Sequence, residues 1–139
     1  MDNPYLLLGG ESGVRRLAEA FYDAMNELPE AAAVRRMHAE DLGGVKQKLF
    51  EFLSGWLGGP QVYFHNHPGV CIMSVHARYA IGPAERDQWL LCMREALRRI
   101  DASPEVTAML QRPLVRFAEA MRNRQDSAVA ADTLTSDAG

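Results

Sequence analysis

Cysteine is scarce in this chain: 139 residues carry only two, Cys71 and Cys92. That is too few for a disulfide scaffold and suits a reducing compartment. Basic charge is not in excess either. With 15 Lys and Arg against 18 Asp and Glu the formal charge is −3, which excludes a nucleic-acid surface built on clustered positive charge. The pairs Arg35-Arg36 and Arg98-Arg99 read as solvated helix faces. No apolar run approaches the roughly 20 residues that cross a bilayer. The opening MDNPYLLLGG lacks the basic region and apolar length of a secretory signal. A soluble cytoplasmic protein is expected, with neither nucleic acid nor membrane as partner. Gly-x-Gly-x-x-Gly and Walker patterns are missing, and Gly58-Gly59-Pro60 reads as a helix terminator, not a phosphate cradle.

What is present is helical periodicity. Hydrophobic residues make up 47% of the chain, enough for one domain with a real core. Asn3-Pro4 predicts a short helix over 4–8, ended by Gly9-Gly10. Val14, Leu17, Ala18, Phe21, Tyr22 and Met25 form the inward stripe of the next helix, closed by Leu28-Pro29. A helical turn over 30–37 leads to His38. Asp41 is placed to cap a helix with the stripe Val45, Leu49, Phe52, Leu53 and Trp56. Residues 61–75 are poorly periodic and read as an ordered loop ending in a short helix that presents His76; 70–75 is the nearest candidate for a strand. Gly82-Pro83 opens a helix burying Trp89, Leu90, Met93, Leu97 and Ile100. Ser103-Pro104 opens the last, with Val106, Met109, Leu110, Leu114, Phe117 and Met121 inward and a kink expected at Pro113. An all-α domain over 1–125 follows, a compressed helical sandwich and not a regular four-helix bundle. The tail 126–139, small and acidic, is expected to be disordered.

The stretch CIMSVHARYAIGPAERDQWLLCM organises the rest. His76 sits in it between Val75 and Tyr79, and neutral imidazole is the commonest protein ligand for haem iron; it is also compatible with an ordinary core histidine. No Cys-x-x-Cys-His run exists, so a haem would be held by coordination and apolar contact alone. Tyr22 lies on a buried stripe, and its hydroxyl needs a partner, either a backbone carbonyl or a bound ligand. Trp89 likewise offers one indole donor from an apolar body. His65 and His67 have a metal-binding spacing but no third ligand nearby. His38, by composition, is a surface loop residue. Neither cysteine has the setting of a nucleophile.

Taken in order, these residues resemble the group II (O-type) truncated haemoglobins from about Pro4 to Arg124. Gly9-Gly10, Phe21-Tyr22, VRRMH at 34–38, FLSGWLGGP at 52–60, HARY at 76–79 and, most specifically, ERDQWLLCM at 85–93 carry the resemblance. It implies a two-over-two helical sandwich and a non-covalent haem b with His76 as proximal ligand. It places Tyr22, His38, Val45, Leu49 and Trp89 on the distal side. Phe52, Leu53, Phe64, Tyr79 and Met93 become haem contacts, with Lys48 and Tyr63 toward the propionates. Tyr22, Trp89 and His38 would act as three donors to bound O2, giving tight binding and slow release, while Val45 leaves an access path. His38 would contact a ligand of the iron or bond Tyr22. One departure stands out: HNHPGVCIMSVH lacks the basic residues that many relatives place before the proximal histidine. The implied ligands are O2, CO and similar small molecules, on a monomer or homodimer. Peroxidase-like turnover or nitric oxide oxidation with a reductase is the competing expectation, and a haem-free helical interaction domain a third.

Overall fold

The computed structural model describes residues 3–69, 76–77 and 79–125. The strand candidate at 70–75, Cys71 and the tail from 126 lie outside the described residues. Among those described there is no strand and no helix long and apolar enough to cross a membrane. The helices are α1 (Pro4–Leu7), α2 (Gly10–Glu27), α3 (Ala32–Arg36), α4 (Gly43–Trp56), α5 (Val62–Asn66), α6 (Pro83–Arg99) and α7 (Pro104–Met121), with a 3-10 turn at Pro29–Ala31. Helix α2 packs against both α4 and α6, and α6 against α7. The pair α2–α4 therefore lies over α6–α7 in a two-over-two sandwich.

Local chemistry explains most of the boundaries. The Asn3 side chain accepts the Leu6 N–H at 2.9 Å and starts α1. Gly9, at φ 105°, turns the chain into α2. Gly13 lets the two helices meet, because a Cβ there would stand 1.8 Å from the Leu8 carbonyl oxygen. The α2 stripe is buried as its periodicity predicts. Asp41 accepts the Gly43 N–H at 2.8 Å, but Leu42 occupies the cap position of α4. The aspartate thus shapes the turn before the helix without capping it. Ser54 donates to the Pro60 carbonyl at 2.9 Å and finishes α4. Glu85 reaches back to the Gly82 N–H at 2.7 Å at the start of α6. Helix α7 runs through Pro113 unbroken, with Met109 exposed instead of buried. Arg35 does more than face solvent: it holds Asn26 and the Ala39 and Glu40 carbonyls, closing the corner after α3. Arg99 bridges Glu95 to Glu27 on α2.

Where a loop is expected, Val62–Asn66 is helical, and tertiary contacts account for it. Glu51 on α4, 8% exposed, accepts from Gln47 at 3.0 Å and Asn66 at 3.2 Å and faces His67 at 3.4 Å. Chiefly the Gln47 hydrogen bond, and then Asn66 and His67, outweigh burial and hold this carboxyl below the ordinary glutamate range. A depressed folded pKa stabilises above the unfolded value and is lost as pH falls through the folded one. Glu51→Gln should therefore lower Tm at pH 7 by a few degrees, for a loss of roughly 1 kcal/mol. The two proteins should converge in thermal scans as pH drops below ~4.3. A gap independent of pH would exclude this role for the charge.

Candidate functional site

The helices leave a cavity of about 240 Å³ with mostly apolar walls. Helices α2, α3, α4, α6 and α7, together with Tyr63 of α5 and with His76, Tyr79 and Ile81, contribute to it. Of the candidates named from sequence, Tyr22, His38, Val45, Lys48, Leu49, Phe52, Tyr63, His76, Tyr79 and Trp89 line it. Leu53 and Met93 are instead sealed in the core, at 3% and 1% exposure. Phe64 is nearly half exposed, its ring packed edge-on to Phe52 and Tyr63 outside the cavity wall.

Tyr22 is 8% exposed, and no described protein group accepts its hydroxyl. Burial pushes the phenol pKa up, so it remains a donor at any working pH. Its ring stacks on Phe21 at 4.9 Å, and Phe21 in turn meets Trp89 edge-on at 5.4 Å. Trp89 also leans on Phe117 at 5.5 Å, and its indole N–H likewise has no protein acceptor among the described residues.

His38 departs from the three-donor expectation. Its Nδ1 lies 2.8 Å from the Val34 carbonyl oxygen, which only accepts, so Nδ1 carries the proton. Nε2 of the neutral ring is then a lone pair. Burial lowers the His38 pKa, with Arg35 and His76 adding to the effect and the Val34 bond opposing it. Of these three side chains, Tyr22 and Trp89 are therefore donors and His38 an acceptor at neutral pH. The Val34 carbonyl is itself fixed, since the Val34 N–H bonds Gln88, beside Trp89, at 3.1 Å.

His76 is half-buried on the same cavity, within electrostatic reach of His38. Lys48 stands exposed at the edge. Arg86 lines it while paired to Glu119 at 2.7 Å and Asp87 at 3.0 Å. Tyr63 packs edge-on to Phe52 and tilted on His67. His67 has its partner in Glu51, at 3.4 Å, not in His65. Cys92 is fully buried, and burial pushes its thiol up to about 11, which makes it a packing residue.

The bacterial-like globin family model matches residues 3–123. The chain belongs to that family, among the group II truncated haemoglobins. A group II 2-on-2 haemoglobin from Agrobacterium tumefaciens is 38% identical, with TM-score 0.84 over 90% of this chain and 97% of its own. A cold-adapted truncated haemoglobin from Pseudoalteromonas haloplanktis is 35% identical, with TM-score 0.84 over 89% of this chain and 100% of its own. Group 2 truncated hemoglobin YjbI from Bacillus subtilis is 27% identical over 89% of this chain and 91% of its own length.

Truncated globins bind haem and small diatomic ligands, and the residues present in this globin fit that group. An imidazole and cationic side chains stand on the wall of a mostly apolar cavity, and the Tyr22 hydroxyl opens on it with no acceptor among the described protein groups. Sequence reasoning did not single out Met25, Val34, Met37, Ile81, Glu85, Arg86 or Ala118 for this wall. Met25 lay on a recognised stripe, but a stripe does not say which of its residues face a cavity.

Proposed function

We propose that this globin holds haem b without covalent bonds on His76 and binds O2 tightly, with slow release. The observation that carries the reading is the pair Tyr22 and Trp89, two donors on one cavity that no described protein group satisfies. Both donors open on the cavity, and a net hydrogen bond contributes about 1 kcal/mol, so a ligand that accepts from both is favoured. Ferrous haem supplies an iron with an open position for a diatomic ligand. In this reading His76 would hold the iron, Phe52, Leu49 and Tyr79 would pack against the flat group, and Lys48, Tyr63 and Arg86 would meet its carboxylates. Tyr22 and Trp89 would donate to a bound ligand that carries partial negative charge. At about 1 kcal/mol per net hydrogen bond, two donors shift affinity by roughly thirtyfold, more where the acceptor is charged. A structural neighbour from Bacillus subtilis, 27% identical with TM-score 0.79, is described as oxygen-avid. The buried free thiol of Cys92 suits work in a reducing cytoplasm.

A second reading rests on His38. Its Nε2 lone pair beside the Tyr22 ring, at 5.5 Å between centroids, is a proton acceptor, which a protic ligand such as peroxide requires and O2 does not. Two electrons from a reductase and two protons would convert peroxide to two waters. Turnover with such a reductase separates this reading from storage.

The deciding test is a visible spectrum of the haem-reconstituted protein in ferric, reduced and CO-bound forms. A strong Soret band that shifts on reduction and again with CO is expected. Absence of the band after reconstitution would return the chain to a haem-free helical interaction domain.

A further inference from the structure

The residues that bring His76 to the cavity are tied to the far end of the chain by one side chain. Helix α7 ends at Met121, and after the extended Arg122 (ψ 132°) Asn123 meets His76, Tyr79 and Ile81. The Asn123 amide Nδ2 donates to the Tyr79 carbonyl at 2.8 Å and lies 3.5 Å from the His76 carbonyl. Its Oδ1 accepts the Ile81 N–H at 2.9 Å. Its own backbone N–H donates to the Ile81 carbonyl at 2.8 Å, which also accepts Arg124 N–H at 3.1 Å.

His76 is helical and the chain turns immediately after it, closed by Tyr79 N–H to the His76 carbonyl at 3.0 Å. Asn123 adds a donor to the Tyr79 carbonyl from 44 residues away and stands beside the His76 carbonyl, 47 residues away. Both halves of its amide, donor and acceptor, are spent on this one stretch, although the residue itself is exposed. The stretch holds His76, Tyr79 and Ile81, all on the cavity wall. The base of the staple is braced as well. Glu119 accepts Arg86 at 2.7 Å and Arg122 at 2.8 Å, locking the end of α7 to the start of α6.

We infer that Asn123 is a positioning residue for the iron's protein ligand: it fixes the backbone from which His76 and Tyr79 enter the cavity. The inference rests on the haem reading above. Partners that orient a metal ligand from outside its coordination sphere are typically worth ten- to a hundredfold in metal affinity, and Asn123 holds the ligand residue by its main chain.

The test uses haem-loaded protein and two variants. Asn123→Ala removes both halves of the amide. Asn123→Asp, nearly isosteric, keeps the acceptor for Ile81 but replaces the donor with charge beside the Tyr79 and His76 carbonyls. Both should shift or broaden the iron–histidine stretching band in resonance Raman of the reduced protein. Both should release haem to excess apomyoglobin about tenfold faster than wild type, with Asp affected at least as much as Ala. Gln125→Ala, two residues on, should leave band and rate unchanged. Variants that keep the wild-type band and release rate overturn the inference, even if their apoprotein melts earlier. Wild type that takes up no haem overturns the functional reading and this inference with it; normal haem uptake with silent variants overturns this inference alone.

Discussion

Replacing Tyr22 and Trp89 together by phenylalanine should speed O2 release from the reduced, haem-loaded protein by about thirty- to a few-hundredfold. Both substitutions keep an aromatic ring, so the packing of Phe21 on Tyr22 and of Trp89 on Phe117 is largely preserved. Neither breaks a described protein hydrogen bond, because neither donor has one. The apoprotein should therefore stay close to wild type in stability. The single variants should not multiply to the double, because both rings contact Phe21 and share a ligand. His38 gives the experiment a second axis. Above its lowered pKa it offers only a lone pair; below it, Nε2 gains a proton and becomes a donor. In the double variant, release should slow again as pH falls well below ~6.5, and His38→Leu in that background should abolish the dependence. Stopped-flow displacement of O2 by CO across pH reads all of this. A double variant that releases O2 at the wild-type rate would remove the proposed function.

The parts of the fold that were legible in sequence are those in which periodicity and burial agree. Helix α2 is the clearest case: a 3.6-residue stripe delivers Tyr22 to the interior because its neighbours Phe21 and Met25 must be there. The same signal cannot separate a core from a cavity wall. Leu49 and Phe52 line the cavity, whereas Leu53 and Met93, equally apolar and equally in phase, are sealed away from it. Helix α5 was illegible because its short polar sequence, with His65 and Asn66, is held by Glu51 from another helix. The donor or acceptor character of His38 depends on one carbonyl a turn earlier, which no composition reveals. Asn123 is the extreme case: a single exposed amide whose partners lie more than 40 residues upstream.

His76→Gly should leave no stable haem complex, with haem loss accelerated by more than about a hundredfold. That bound follows because deleting a ligand itself costs more than deleting a partner of the ligand, worth ten- to a hundredfold. What remains is an apolar cavity with Phe52 and Leu49 on its wall, able to hold haem by contact but not to anchor the iron. Glycine at a helical position also costs about 1 kcal/mol, so the apoprotein should melt a few degrees lower. That loss has to be measured separately, by thermal scans without haem. Added imidazole distinguishes the two effects. It should enter the space left by the ring and restore the Soret band without restoring the apoprotein's Tm. His38 is the other imidazole on this cavity, and its Nε2 lone pair faces no described protein donor. If His76→Gly keeps a full Soret band and His38→Leu loses it, the anchor is His38 and the sides of the pocket are reversed. If both single variants keep the band, neither histidine is essential for retention, and coordination is not what holds the haem. The expected pattern is loss in His76→Gly, retention in His38→Leu and rescue by imidazole. The Nδ1 bond to Val34 pins the His38 ring to its own helix end, while the Tyr79 N–H and the Asn123 amide at the His76 carbonyl set the backbone from which His76 meets the cavity.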